Sequence, residues 1–435
     1  MSSQPHARDS GPPGSLLFSS VPAPTGEHGT RFVARQPIFD GTRHVYGYEL
    51  LFRQNEDAQF CAIDNAEASH DTLDISLFIG PGTLSDGRRA FINCSRDLLV
   101  DDLATALPPD LTVLEILESI EPDEEVVAAC ARLKHAGYTL ALDDFDLSRD
   151  RSPLVRYADI IKVDFQATSP DEQRALADRY SRKGISMLAE KLETQDEFLS
   201  ARDAGYNLFQ GYFFCKPTTI SAADIPALQV NYFRILQSAF RPELDLFALE
   251  AIIKTEPALC YRLLRYLNSA AYGVYPVTSI RHALALLGSR DLRKWAAIMS
   301  AIAIAGPNSG ELVVTALARA RFCDWLAFKH RATGVDMFLF GLLSLVDAIL
   351  DQPLDHVLSQ LPLQTELREA LLGKYPAEQR MLRLAQACER GDWPTLQSMC
   401  KSLVLDENQV WYCYTSALKW ARELHEHTTT LENEL

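Results

Sequence analysis

Tyr138-Thr139-Leu140-Ala141-Leu142-Asp143-Asp144-Phe145 is an apolar run that ends abruptly in two adjacent carboxylates. Neighbouring Asp side chains in apolar surroundings repel each other unless a cation lies between them, which makes a metal site one reading. An exposed turn or a helix N-cap, where Asp is common, is the other. The choice between them turns on whether other apolar runs end in the same way.

Several do. Ala90-Phe91-Ile92 ends in Asn93, and Leu111-Thr112-Val113-Leu114 carries Glu115. Ile160-Ile161 is followed by Lys162-Val163-Asp164, Ile185-Ser186-Met187-Leu188-Ala189 ends in Glu190, and Asn207-Leu208-Phe209 leads to Gln210-Gly211-Tyr212. Two strands precede this series, 31–40 with Gly41 in the turn, and 45–53 carrying Glu49 and Arg53. Between the runs, apolar spacing near 3.6 predicts helices over 64–78, through Leu98 and Leu103, and over 123–136, 170–183 and 195–204. Gly137, Gly184 and Gly205 stop the last three.

Repeated strand–helix units with nearly continuous apolar strands indicate a parallel sheet, and both an open doubly wound sheet and a closed barrel fit. The chemistry prefers the barrel, because polar strand ends from many strands converge on one mouth only in a closed ring. Glu49, Asn93, Glu115, Asp143, Asp144, Glu190 and Gln210 are hard oxygen donors, with Lys162 as the exception; that set suits Mg²⁺ or Mn²⁺ rather than a thiophilic metal.

The 435-residue chain has room for two domains, and 47% hydrophobic with 23% charged residues is a globular composition. A net charge of -16 argues against a nucleic-acid polymer as partner. Nine Cys without a C-x-x-C pair read as reduced thiols of a cytoplasmic protein. No run approaches the roughly 20 apolar residues of a membrane span, and the Pro-, Gly- and Ser-rich residues 1–30 are expected to be a disordered leader.

The ordered series resembles the EAL phosphodiesterases, bacterial enzymes that linearise cyclic di-GMP, over about 31–217. Gln36-Pro37-Ile38 is similar to the family's opening strand, and Glu49-Leu50-Leu51-Phe52-Arg53 to E-A-L followed by x-R. Glu115-Ile116-Leu117-Glu118 resembles E-x-T-E, Asp143-Asp144-Phe145 D-D-F, and Lys162-Val163-Asp164 K-x-D. Glu190-Lys191-Leu192-Glu193 resembles E-G-V-E, and Gln210-Gly211-Tyr212 Q-G-Y. The resemblance implies a modified, shortened TIM-type barrel over 31–219. It implies that Glu49, Asn93, Glu115 and Asp143 hold one divalent ion, Mg²⁺ or Mn²⁺, and that Asp143 and Asp144 hold a second. It further implies that Lys162, with Glu190 in the surrounding catalytic shell, orients or deprotonates water, that Arg53 and Gln210 serve the substrate, and that Glu118 couples to a control loop and dimerisation.

Three departures stand out. The family's Gly-rich loop after D-D-F is replaced by Asp146-Leu147-Ser148-Arg149-Asp150-Arg151-Ser152-Pro153, Leu50 replaces Ala, and Lys191 replaces Gly. A preserved ligand cage with a rewired control loop is expected.

From Ser221 onward the pattern is helical, with helices expected from 221 through Phe233 and Phe240, and over 246–254, 280–288, 292–305, 312–329 and 337–350, then to about 426. Thr255-Glu256-Pro257-Ala258-Leu259, Leu267-Asn268-Ser269-Ala270-Ala271-Tyr272-Gly273 and Ser279-Ile280-Arg281-His282-Ala283 resemble the all-α HDOD domain, relatives of the HD phosphohydrolases, here over 220–427. The catalytic His-Asp pair is missing: Gly341-Leu342-Leu343-Ser344-Leu345-Val346-Asp347 stands at the comparable helix. His70-Asp71 lies in the first domain and reads as a solvated position, and His282 reads as structural. The HDOD half is expected to engage a protein partner, and the resemblance also allows a homodimer. Three functions stay open: a cyclic di-GMP phosphodiesterase, a cyclic di-GMP sensor, and an interaction scaffold.

Overall fold

The computed structural model describes residues 32–53, 85–147, 151–215, 227–241, 243–255, 259–260, 263, 279–305, 309–330 and 334–429. The expected leader, the helix over 64–78 with His70-Asp71, part of the loop after Phe145, the start of the connecting helix at Ser221 and most of the 256–273 motif lie outside them.

Eight strands close into a barrel: β1 (Phe32–Asp40), β2 (Val45–Arg53), β3 (Arg89–Cys94), β4 (Thr112–Ile116), β5 (Thr139–Leu142), β6 (Ile160–Asp164), β7 (Ser186–Leu192) and β8 (Leu208–Gly211). Strands β2 to β8 run parallel, as the apolar runs imply, but β1 is antiparallel to both its neighbours. Direction is not written in a hydrophobic run; the tight β1–β2 hairpin at Gly41 imposes it.

The period of two along each strand sorts side chains to the two faces of the wall. Outward residues such as Ile92, Leu114, Ile161 and Met187 pack under helices α1 (Glu124–His135), α2 (Pro170–Tyr180) and α3 (Gln195–Asp203). Asp123, Ser169 and Thr194 cap the N-termini of these helices, the last with a reciprocal Glu197 capping box. Inward, Ile38, Phe91, Val113, Ala141, Ile160, Leu188 and Leu208 form one sealed apolar layer. Gly47 belongs to that layer, since a Cβ there would stand 2.6 Å from Arg89 O and 3.0 Å from the Phe91 ring.

The second half is helical: α4 (Ala227–Ala239), α5 (Leu246–Lys254), α6 (Ile280–Ile304), α7 (Gly310–His330), α8 (Met337–Leu343), α9 (Pro376–Arg390), α10 (Trp393–Leu403) and α11 (Glu407–Thr429), with further short helices of seven residues or fewer between α8 and α9. The helices expected over 280–288 and 292–305 are two, parted at Gly288, whose φ of 70° and ψ of 168° are non-helical; the second is buried, as the apolar sequence requires. The helix expected over 337–350 is interrupted at Ser344 and Leu345. Ser344 Oγ donates to Gly341 O at 2.7 Å and accepts from Arg319 Nη1 at 3.1 Å. Gly341 marks the crossing of α7 and α8, where a Cβ would meet Arg319 O at 2.5 Å. No helix among the described residues is long and apolar enough to cross a membrane.

Ala34 and Cys215 of the barrel are buried in the helical core, with Leu51, Tyr212 and Phe214 packed against it. The two halves therefore share apolar surface beside the barrel mouth.

Candidate active site

Two residues beyond the sealed layer, on the same inward face, each parallel strand places a polar side chain. Phe91 is followed by Asn93, Val113 by Glu115, Ala141 by Asp143, Ile160 by Lys162, Leu188 by Glu190 and Leu208 by Gln210. On antiparallel β1 the equivalent step runs backwards, from Ile38 to Gln36, which faces Glu49 across the hairpin. The strand-end series is thus a single layer of the barrel. The turn and N-cap reading of Asp143 fails, because Asp143 shares this ring with the residues below.

Lys162 stands at its centre, 1% exposed. Its Nζ lies 2.7 Å from Asp143 Oδ1, 2.8 Å from Glu115 Oε1, 2.9 Å from Glu190 Oε1 and 3.7 Å from Glu49 Oε2. Burial disfavours the ammonium, but Glu115, Glu190, Glu49 and Asp143 together hold its pKa well above the usual lysine value. Burial also pushes Glu115 far up, with Lys162 opposing and the other carboxylates adding to the rise. Glu190 is pushed up to about 8 by burial, against Lys162 and with Asp143 and Glu49. Four carboxylates surround one ammonium.

Acceptors are in surplus. Asn93 Oδ1, Glu115 Oε2 and Gln210 Oε1 are buried and accept no hydrogen bond among the described residues, while Glu115 Oε1 meets the Lys162 ammonium at 2.8 Å. Buried acceptors without donors are uncommon in native proteins. Asp143, Asp144 and Glu190 also bring carboxylate oxygens within 4.8 Å of one another. An oxygen-only surplus of this kind fits a hard divalent cation.

Gln210 Nε2 donates to Glu49 Oε2 at 2.6 Å and to Gln36 Oε1 at 3.0 Å, fixing the β8–β1–β2 side of the ring. Asp144 lies beside the ring at φ 38°, its carboxyl pushed up by burial and by Asp143. Glu118 is half-buried and adds to that rise. The backbone of Arg53 closes β2, and its side chain lies outside the described residues.

The departures divide into one neutral and two consequential changes. Leu50 points away from the mouth into the strand–helix core, so replacing Ala there alters packing and leaves the ring intact. Lys191 adopts φ 59° at the irregular end of β7 and places Nζ 2.5 Å from Asp164 Oδ2 and 3.8 Å from Asp144 Oδ1. Arg151 is buried, donating from Nη1 to Asp143 O at 2.7 Å and from Nη2 to Ile116 O at 2.9 Å and Leu117 O at 3.1 Å. Arg151, in the last part of the loop, is therefore pinned to the ends of β4 and β5. Neither contact was visible in the sequence, where an Arg or Lys in a charged loop reads as solvated.

The mouth opens into a cleft of about 490 Å³ whose far wall is helical, formed by Glu311, Thr315, Glu389, Arg390, Tyr414 and Leu418. Tyr212 donates to Glu389 Oε2 at 2.8 Å, and Tyr48 to Glu311 Oε2 at 3.1 Å.

Family models match in the order the motifs suggest, the EAL domain over residues 25–217 and the HDOD domain over 225–385. An uncharacterised protein of Bacillus subtilis, YuxH, is 34% identical over 404 residues, covering 90% of this chain and 98% of its own length. The chain is an EAL–HDOD protein. CdgJ of Vibrio cholerae, named a cyclic di-GMP phosphodiesterase, is 33% identical, covering 91% of this chain and 93% of its own. Among solved structures, Klebsiella pneumoniae BlrP1 in complex with manganese and cyclic di-GMP is 25% identical, with a TM-score of 0.35, over 44% of this chain and 57% of its own. The EAL half supplies the carboxylate ring and the helical half, within and beyond the HDOD match, the far wall of the cleft.

Proposed function

We propose that the EAL mouth is a divalent-metal site that hydrolyses one phosphodiester bond of cyclic di-GMP. The surplus of donorless oxygens around Lys162 carries this reading, and the likeness to CdgJ along most of both chains supports it. Glu49, Asn93, Glu115 and Asp143 would hold one Mg²⁺ or Mn²⁺, and Asp143 with Asp144 a second. Such ions lower the pKa of bound water and neutralise charge on a phosphodiester during in-line displacement. The water oxygen bonds to phosphorus, the bond from phosphorus to the leaving sugar oxygen breaks, and that oxygen takes up a proton.

Lys162, held protonated by its neighbours, is a donor in this scheme and orients water and phosphate. Glu190 holds a proton more tightly than an ordinary carboxylate and accepts the water's proton. Gln210 and Arg53 serve the ligand, and Glu118 couples the loop to the ring. The HDOD half passes the signal to a protein partner in the cytoplasm, and a homodimer is compatible with this arrangement.

The purified chain with Mg²⁺ or Mn²⁺ should convert cyclic di-GMP to the linear dinucleotide, and Glu49→Ala or Asp143→Ala should abolish conversion. No product with either metal would sink the enzymatic reading. A second reading, a sensor that binds without turnover, is favoured by the Arg151-pinned loop; tight metal-dependent binding with no product would establish it.

A further inference from the structure

Helix α9 ends at Gly391, whose φ of 62° makes it a left-handed C-cap. Gly391 lies against the barrel, where a Cβ would come within 2.9 Å of Leu51 Cδ1 and 3.4 Å of Ala34 Cβ. The preceding carbonyl, Arg390 O, accepts from Gln36 Nε2 at 2.6 Å. Gln36 in turn accepts from Gln210, which donates to Glu49. The backbone at 390–391 is thus fixed to the ring of site residues, and with it the origin of the Arg390 side chain.

That side chain lines the cleft. Its guanidinium lies 4.3 Å from the centroid of the Tyr212 ring. Stacking on a ring face leaves the in-plane N–H groups of an Arg free to donate. The other cations lining the cleft are engaged: Lys162 inside the carboxylate ring, Lys191 on Asp164 and Arg35 on Asp86. Arg390 Nη2 pairs with Glu193 Oε2 across 3.7 Å, with both side chains more than a third exposed and the separation beyond hydrogen-bond reach, so its N–H groups still have hydrogen bonds to donate.

We propose that Arg390 of the helical domain is a ligand-contacting residue of the barrel site, its guanidinium donating to a phosphate oxygen of the cyclic dinucleotide, so that the ligand bridges the two domains. This rests on the cyclic di-GMP reading above. It makes the helical half a wall of the binding site rather than a module reached through a linker. The neighbouring residue extends the connection inward, because Glu389 accepts from Tyr212 and forms a two-point pair with Arg319.

All five tryptophans, Trp295, Trp325, Trp393, Trp411 and Trp420, belong to the helical half, so their emission reports on that domain alone. The test is calorimetric titration of the full chain with cyclic di-GMP and Ca²⁺, with tryptophan emission followed in parallel, for wild type, Arg390→Lys and Arg390→Ala. Wild type should bind and change its emission. Arg390→Ala should bind roughly tenfold more weakly, the loss of one partly exposed charge-assisted hydrogen bond. Arg390→Lys should fall between them, with melting temperatures unchanged. Equal affinity of Arg390→Ala and wild type, or no emission change at saturation of wild type, would overturn the bridging role while leaving the cyclic di-GMP reading intact. Failure of wild type to bind would overturn that reading and the bridge with it.

Discussion

Truncation of Glu389 to Ala tests how the two halves are joined. Glu389 accepts from Arg319 Nε at 2.6 Å and Nη2 at 2.7 Å, and from Tyr212 of the barrel at 2.8 Å. Arg319 is 1% exposed. Burial raises the Glu389 pKa, with Arg319 opposing, so the pair depends on mutual neutralisation. In Glu389→Ala the guanidinium keeps Ser344 Oγ at 3.1 Å and the Tyr212 ring at 5.8 Å, and has lost its counter-ion. Leaving a buried charge unpaired costs about 3–5 kcal/mol. The Tyr212 hydroxyl loses its acceptor as well, and Tyr212→Phe alone should cost about 1 kcal/mol. For a unit of about 200 residues, a 4 kcal/mol loss lowers Tm by about 8–16 °C. Thermal melts followed by tryptophan emission read the helical half directly. The double variant Arg319→Met/Glu389→Leu, which removes both charges and fills similar space, should recover most of the loss. If Glu389→Ala lowers stability by less than about 1 kcal/mol, or the double variant is worse than the single, the pair is not the buried joint described here.

Three further outcomes follow from the barrel. Lys191→Gly relieves a left-handed backbone worth about 1 kcal/mol and loses an ion pair worth less because the lysine is half exposed, so it should be more stable than Lys191→Ala by about 1 kcal/mol in denaturant melts. Arg151→Met strips a donor from three carbonyls at the ends of β4 and β5; destabilisation of about 2–3 kcal/mol and a lowered kcat are expected, measured by melts and turnover. Glu115 and Glu190 have folded pKa values above their unfolded ones, so the stability they contribute is full below about pH 4.5 and is lost as pH rises, towards pH 8 for Glu190. Metal ligation needs the ionised forms, so the Tm gain from millimolar Mg²⁺ should be small near pH 5 and grow towards pH 8; a gain independent of pH would contradict the placement of metal in this ring.

Much of the site could be read from the chain because one rule generates it. Apolar residues of alternating register seal the barrel, and the next inward position on each strand is polar, so Asn93, Glu115, Asp143, Lys162, Glu190 and Gln210 were visible in or at the ends of apolar runs. Helix ends were legible from glycines such as Gly184, at φ 79°, whereas the starting caps Asp123 and Thr194 emerge from the structure. The reversed direction of β1 was not legible, since a hydrophobic run looks the same in either sense. Nor was the burial of Arg151, which depends on carbonyls 34 and 35 positions away. The domain joint was least visible: Tyr212 and Glu389 are 177 residues apart, and neither carries a local pattern that points to the other.

We propose that the carboxylate ring around Lys162 performs metal-dependent hydrolysis. It is tested most directly by incubating the full chain with cyclic di-GMP and Mn²⁺ in ¹⁸O-labelled water and analysing the product by mass spectrometry. A linear dinucleotide carrying one solvent oxygen on its terminal phosphate is expected, lost on chelation and in Lys162→Met. Unchanged cyclic di-GMP, or product formed equally well by Lys162→Met, would contradict it.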